Sequence, residues 1–140
     1  MAFRHPSTLV PITFTYNGAV DDLTDVVLGY IHMDCKIMYL DVAVHDANHT
    51  FDTTTLTFEY DTSSDGSTWG TDTQIDTFAT GAATGTPIRL QKTLDDLTNS
   101  EISLSNPEYG ARVLLTAANV GTGADLGLTL ILWVWPRDEN

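Results

Sequence analysis

The chain has few of the residues that would fix a fold or a chemistry by covalent or ionic means. Its single cysteine, Cys35, rules out an intrachain disulfide, so cysteine usage says nothing about the redox compartment. Asp34 beside it opposes thiolate formation, which makes Cys35 a small core residue and not a nucleophile. Lys and Arg together number six and are scattered, against 19 Asp and Glu, giving a formal charge of -13 and a pI near 4.2. Nucleic acid and anionic membrane surfaces both need a basic patch, so neither is expected as a direct partner. Long apolar runs are missing too. The longest, residues 126–135, is broken by Gly127 and Thr129 and is too short for a membrane-spanning helix, so it reads as a buried strand. The opening MAFRHPSTLVPITF carries no continuous apolar segment of the secretion-signal kind. Helix-forming runs are scarce, and there is no Gly-x-Ser-x-Gly elbow, phosphate-binding glycine loop, CxxC pair or HExxH. No catalytic residue, metal ligand or cofactor is therefore expected.

What is present is alternation. Leu56, Phe58 and Tyr60 interleave with Thr55, Thr57, Glu59 and Asp61, the period of a half-buried strand. Ser64-Asp65-Gly66-Ser67 follows, with an Asp able to bond its own backbone and a Gly that tolerates positive φ, so the chain should turn there. Trp69 then anchors the turn against the sheet. Asp61, Asp65 and Asp72 have the spacing of an oxygen-rich Ca²⁺ loop. Ser63 at its third place, Asp72 in place of a bidentate Glu at its twelfth, and flanking strands favour an ordinary hairpin turn.

Residues 1–11, with Pro6 and Pro11, predict an extended N-terminal arm, residues 12–136 a single β domain, and residues 137–140 a polar tail. Residues 12–16 alternate and stop at the turn signal Asn17-Gly18. Asp21, Asp22 and Asp25 form an acidic connection, read as solvated. In residues 36–46, Met38, Leu40, Val42 and Val44 should face the core, with Ile37, Tyr39, Asp41, Ala43 and His45 opposite. His45 and His49 have a metal spacing only on a helix, and they fall at a strand end and in a loop. Residues 81–87 make a small-residue loop, and residues 95–105 have room for one helical turn. About eight strands result, and burial demands that they pair face to face. The fold class is all-β, an antiparallel two-sheet β-sandwich or jelly roll.

The last strand has two apolar sides. Leu126, Leu128, Leu130, Leu132 and Val134 fill one, while Ile131, Trp133 and Trp135 fall on the other. A two-layer sheet normally hides one side, so either another subunit or the leading arm, through Phe3, Leu9 and Val10, must cover the second. Those six residues are the expected partner interface.

Ser64-Asp65-Gly66-Ser67-Thr68-Trp69 after an alternating strand, then Ala111-Arg112-Val113-Leu114-Leu115-Thr116, a Gly-Thr-Gly reversal at 121–123 and a final apolar strand, resembles small β-sandwich virion proteins of tailed bacteriophages. The likeness spans roughly residues 36–135. S-DG-x-x-W also occurs in unrelated sandwich modules, carbohydrate-binding ones included. The resemblance implies a non-enzymatic structural role, as a capsid decoration (cement) protein or a neck or tail component. Such a protein would be made in the host cytoplasm and placed on the capsid surface. Its partners would be the major capsid protein and further copies of itself, with a trimer favoured. The alternative is a carbohydrate- or receptor-binding module of a tail or fibre, with surface Trp and Asp on glycans.

Overall fold

A computed structural model of the chain describes residues 9–20, 23–44, 50–79, 83–84, 88–120 and 124–137. The strands are β1 (Val10–Val20), β2 (Leu23–Ile31), β3 (Cys35–Val44), β4 (Thr50–Thr62), β5 (Thr73–Ala79), β6 (Ala83–Thr84), β7 (Ile88–Thr93), β8 (Glu101–Ile102), β9 (Ala111–Val120) and β10 (Ala124–Pro136). They form two five-stranded antiparallel sheets. The first runs β1-β10-β3-β7 with β8 beside β3, and the second β2-β9-β4-β5 with β6 beside β4. The chain crosses from one sheet to the other at every connection except those from β4 through β5 to β6 and from β7 to β8, and the last strand pairs with the first, so the eight long strands have the connectivity of a jelly roll.

The core is the inward row of each strand. Leu128, Leu130, Leu132 and Val134 of β10, Leu40, Val42 and Val44 of β3, and Leu56 and Phe58 of β4 are fully buried. Phe14 of β1 reaches across to β2, where an added Cβ on Gly29 would meet its ring at 2.7 Å. Glycine is needed there for that close approach. On the opposite side Lys92 of β7 crosses to the buried Asp76 of β5, with Nζ 2.7 Å from the carboxylate. Lys92 also donates to Thr77 O at 3.0 Å and lies 4.9 Å from the centre of the Phe78 ring. Cys35 is fully buried, and burial with Asp34 beside it pushes its thiol up to about 12.

Four local expectations change. Asn17-Gly18 is no turn, because β1 stays paired with β10 in unbroken register as far as Val20 and Ala124. In β3 a register shift against β10 places Tyr39 opposite Trp133 and Ile37 opposite Val134, leaving Met38 as the extra residue. The bulge reverses the phase of the strand, so Ile37 is buried and Met38 only half so. Asp25 lies inside β2 and not in a connection. The stretch 95–105 supplies only the end of a 3-10 turn (Leu94–Asp96) before β8, whose Ile102 joins the core. Among the described residues no helix is long and apolar enough to cross a membrane.

Candidate functional site

The outward face of the first sheet follows from the alternation of β10. With Leu128 to Val134 turned inward, Ile131, Trp133 and Trp135 must point outward, and all three are half-buried there. Register puts Trp133 between Pro11 of β1 and Tyr39 of β3, and Ile131 between Thr13 and Asp41. Tyr39 is 49% exposed. Leu9, Tyr39, Asp41, Arg89 and Trp133 line an open groove of about 520 Å³. Along its wall Arg89 grips Asp41 with both arms of its fork, Nε to Oδ1 at 3.2 Å and Nη2 to Oδ2 at 2.8 Å. Those hydrogen bonds hold the Asp41 carboxyl below its usual range. The Trp135 indole Nε1 is buried and has no acceptor.

Of the expected interface residues, Leu9 and Trp133 thus meet in one groove, and Ile131 and Trp135 share its face. Val10 opens β1 opposite Val134 of the inward row and is 36% exposed. Phe3, like His45, His49, Asp21 and Asp22, lies outside the described residues.

The outward face of the second sheet is polar and aromatic. The turn after β4 is closed by Ser63 and Asp65. Ser63 Oγ donates to Thr68 O at 2.6 Å and accepts from Gly66 N at 2.9 Å, while Asp65 Oδ1 accepts from Ser67 N at 2.9 Å and Thr68 N at 2.8 Å. The Thr68 and Ser67 amides hold the Asp65 carboxyl down at about 2. Gly66 sits at φ +80, and a Cβ there would meet the Tyr109 ring at 2.6 Å. Ser63 bridges to Trp69, whose ring lies 4.2 Å from the Arg112 guanidinium and 6.1 Å from the Tyr30 ring. Arg112 in turn forks onto the buried Asp61, with Nε to Oδ1 at 2.9 Å and a second bond from Nη2 to Oδ2.

Asp61 and Asp65 are therefore held by partners within the protein, and Asp72 belongs to a different group. The order β2-β9-β4 brings Asp25 of β2, Glu59 of β4 and Asp72 together, with one oxygen from each within 4.8 Å of the others. Asp25 adopts φ +50, and its N–H donates to Thr116 Oγ1 at 3.1 Å. Burial, then repulsion from Asp72 and Asp25, raises the Glu59 carboxyl, while burial, then Asp25 and Asp61, raises Asp72. Three carboxylates so placed could share a proton or hold a hard cation such as Ca²⁺ through oxygen. Sequence spacing gave no signal for this group, because its members lie on separate elements.

No protein-family model matches the chain, and the search of curated proteins finds no match. Among solved structures the chain is similar to one described as Desmodium yellow mottle tymovirus, at 13% identity and a TM-score of 0.31, with 100% of this chain and 95% of that chain covered.

Proposed function

We propose that the chain is a non-enzymatic structural protein of a virion. More narrowly, it is a capsid decoration, or cement, protein of a tailed bacteriophage that associates with copies of itself and braces the major capsid protein on the capsid surface. The observation that carries this reading is the outward face of β10, where Trp133, Trp135 and Ile131 sit on the solvent side of a sheet whose other side is already a complete core. The bacteriophage sequence pattern at residues 64–69 and 111–116 supports it. The mechanism is burial, at about 25 cal/mol per Å² of apolar area, multiplied by engagement of several shell subunits at once. Rigid sheet positions suit this role because aromatic anchors there lose little side-chain entropy on docking.

Co-sedimentation with expanded shells assembled from a tailed-bacteriophage major capsid protein, the proposed partner, tests the reading. Binding should saturate at a fixed ratio per shell subunit, and Trp133→Ala should weaken it by ten-fold or more, in keeping with loss of about 2 kcal/mol from a central aromatic anchor. Absence of the wild-type chain from the shell pellet would refute it.

A second reading draws on the same groove. The Tyr39 and Trp133 rings beside the Arg89–Asp41 fork offer an apolar platform next to oriented polar groups, which suits a sugar ring on a tail or fibre module. Glycan-array binding abolished by Tyr39→Ala, with no affinity for shells, would favour it.

A further inference from the structure

A strand at a sheet edge presents unpaired backbone groups, and proteins blunt such edges with charge, bulges or shortness. Each sheet here has two edges, β1 and β7 in the first and β2 and β5 in the second. Three of the four are blunted. β7 spans six residues and carries Arg89 and the inward-pointing Lys92. β5 spans seven, carries the buried Asp76 and shifts register against β4. β2 shifts register twice against β9 and contains Asp25 at positive φ.

β1 has none of these defences beyond Pro11 near its start. Its sequence VPITFTYNGAV holds no charged residue, and its eleven residues pair with β10 without a single shift. At roughly 3.4 Å per residue that is an edge about 37 Å long. Among the described residues nothing pairs with its other side. Thr13, Thr15 and Asn17 are exposed on its outward face, and the inward Ile12 and Tyr16 are only half-buried against the core.

We propose that the free edge of β1 is a docking edge for β1 of a second copy of this chain, paired antiparallel about a two-fold axis to join the two first sheets into one. The occupant is a second copy because the edge is self-complementary. A two-fold contact sets each strand against its own sequence, and an uncharged strand meets no like charge there. A chain of net charge -13 repels its copies elsewhere, so an uncharged stretch is where two copies can approach. Pairing adds a backbone ladder, sets Thr side chains opposite one another outside, and covers the remaining surface of Ile12 and Tyr16 inside. The proposal does not depend on the assignment to a virion, and it gives a dimer where the resemblance favoured a trimer.

The test is the mass of the purified full-length chain in solution, by light scattering after size exclusion and by sedimentation over a concentration series. The wild type should show twice the 15.3 kDa chain mass. Association should tighten on raising NaCl from about 50 to about 500 mM, since salt screens the net repulsion and leaves an uncharged contact intact. Thr15→Lys, and separately Thr13→Lys, should weaken the dimer by ten-fold or more while leaving the melting temperature of the monomer within a few degrees. Each adds positive charge to an acidic chain and so lowers overall repulsion, which means a loss of dimer reports the edge itself. Gln91→Lys on β7 should leave the dimer intact. A monomeric wild type at about 100 µM, a trimer, or a dimer unmoved by both β1 variants would overturn the proposal.

Discussion

Arg112 ties together much of the outer surface of the second sheet. Its fork neutralises Asp61, which is 2% exposed, and its flat side rests on Trp69. Removing one partner of a buried ion pair leaves the other charge without compensation, which costs about 3–5 kcal/mol. Arg112→Ala should therefore lower the urea midpoint sharply, and adding Asp61→Asn should recover part of the loss; equal midpoints for wild type and Arg112→Ala would contradict this. The neighbouring acids make the reverse prediction. Glu59 and Asp72 have folded-state values raised above their ordinary 4.5 and 3.8, so the stability that protonation lends is full below those ordinary values and is lost as pH rises through the raised ones. Asp41 and Asp65 are lowered, so their contribution is present above 3.8 and fades only as pH falls through their folded values. Between these windows, mild acidification from pH 7 toward about 5 should hold or raise the melting temperature, and Glu59→Gln should raise it by a few degrees at pH 7 and flatten that trend. A Glu59→Gln chain that melts lower at pH 7 would show that the carboxylates support one another, as they would around a resident cation.

Along single elements, what the sequence made legible was whatever depends on neighbours in the chain. The Asp65-Gly66 turn and the inward leucines of β10 follow from local chemistry and from period-two alternation, and both are where they were expected. What depended on pairing was hidden. Asn17-Gly18 has the chemistry of a turn, but β10 continues opposite it and holds β1 extended. The bulge at Met38 exchanges the faces of Ile37 and Met38, and only register against β10 reveals it. Asp25, Glu59 and Asp72 converge only because of the strand order of the second sheet. The alternation of β10 also separates stability from docking at adjacent residues. Leu132→Ala, in the core, should destabilise by about 2–5 kcal/mol in urea unfolding, whereas Trp133→Ala, facing out, should cost much less and act on shell binding instead. Equal losses of stability at the two positions would mean that Trp133 serves the fold and not an interface.

Taken as a whole, the molecule is a jelly roll with a complete core, an acidic exterior, and an apolar, aromatic stripe on the outer side of one sheet. A jelly roll is compatible with many functions, so the assignment rests on that stripe and not on the fold. The net negative charge makes copies repel over most of their surface, while the aromatic stripe and the uncharged edge of β1 provide places where contact carries less of that penalty. Under the proposed function the capsid shell is the protein that completes the stripe. The most direct measurement is residue-resolved hydroxyl-radical footprinting of the chain, free in solution and bound to capsid shells. Our account predicts that protection on binding concentrates at Tyr39, Trp133 and Trp135 and leaves Tyr30 and Trp69 on the second sheet unchanged. Protection centred on Tyr30 and Trp69, or a pattern identical with and without shells, would contradict it.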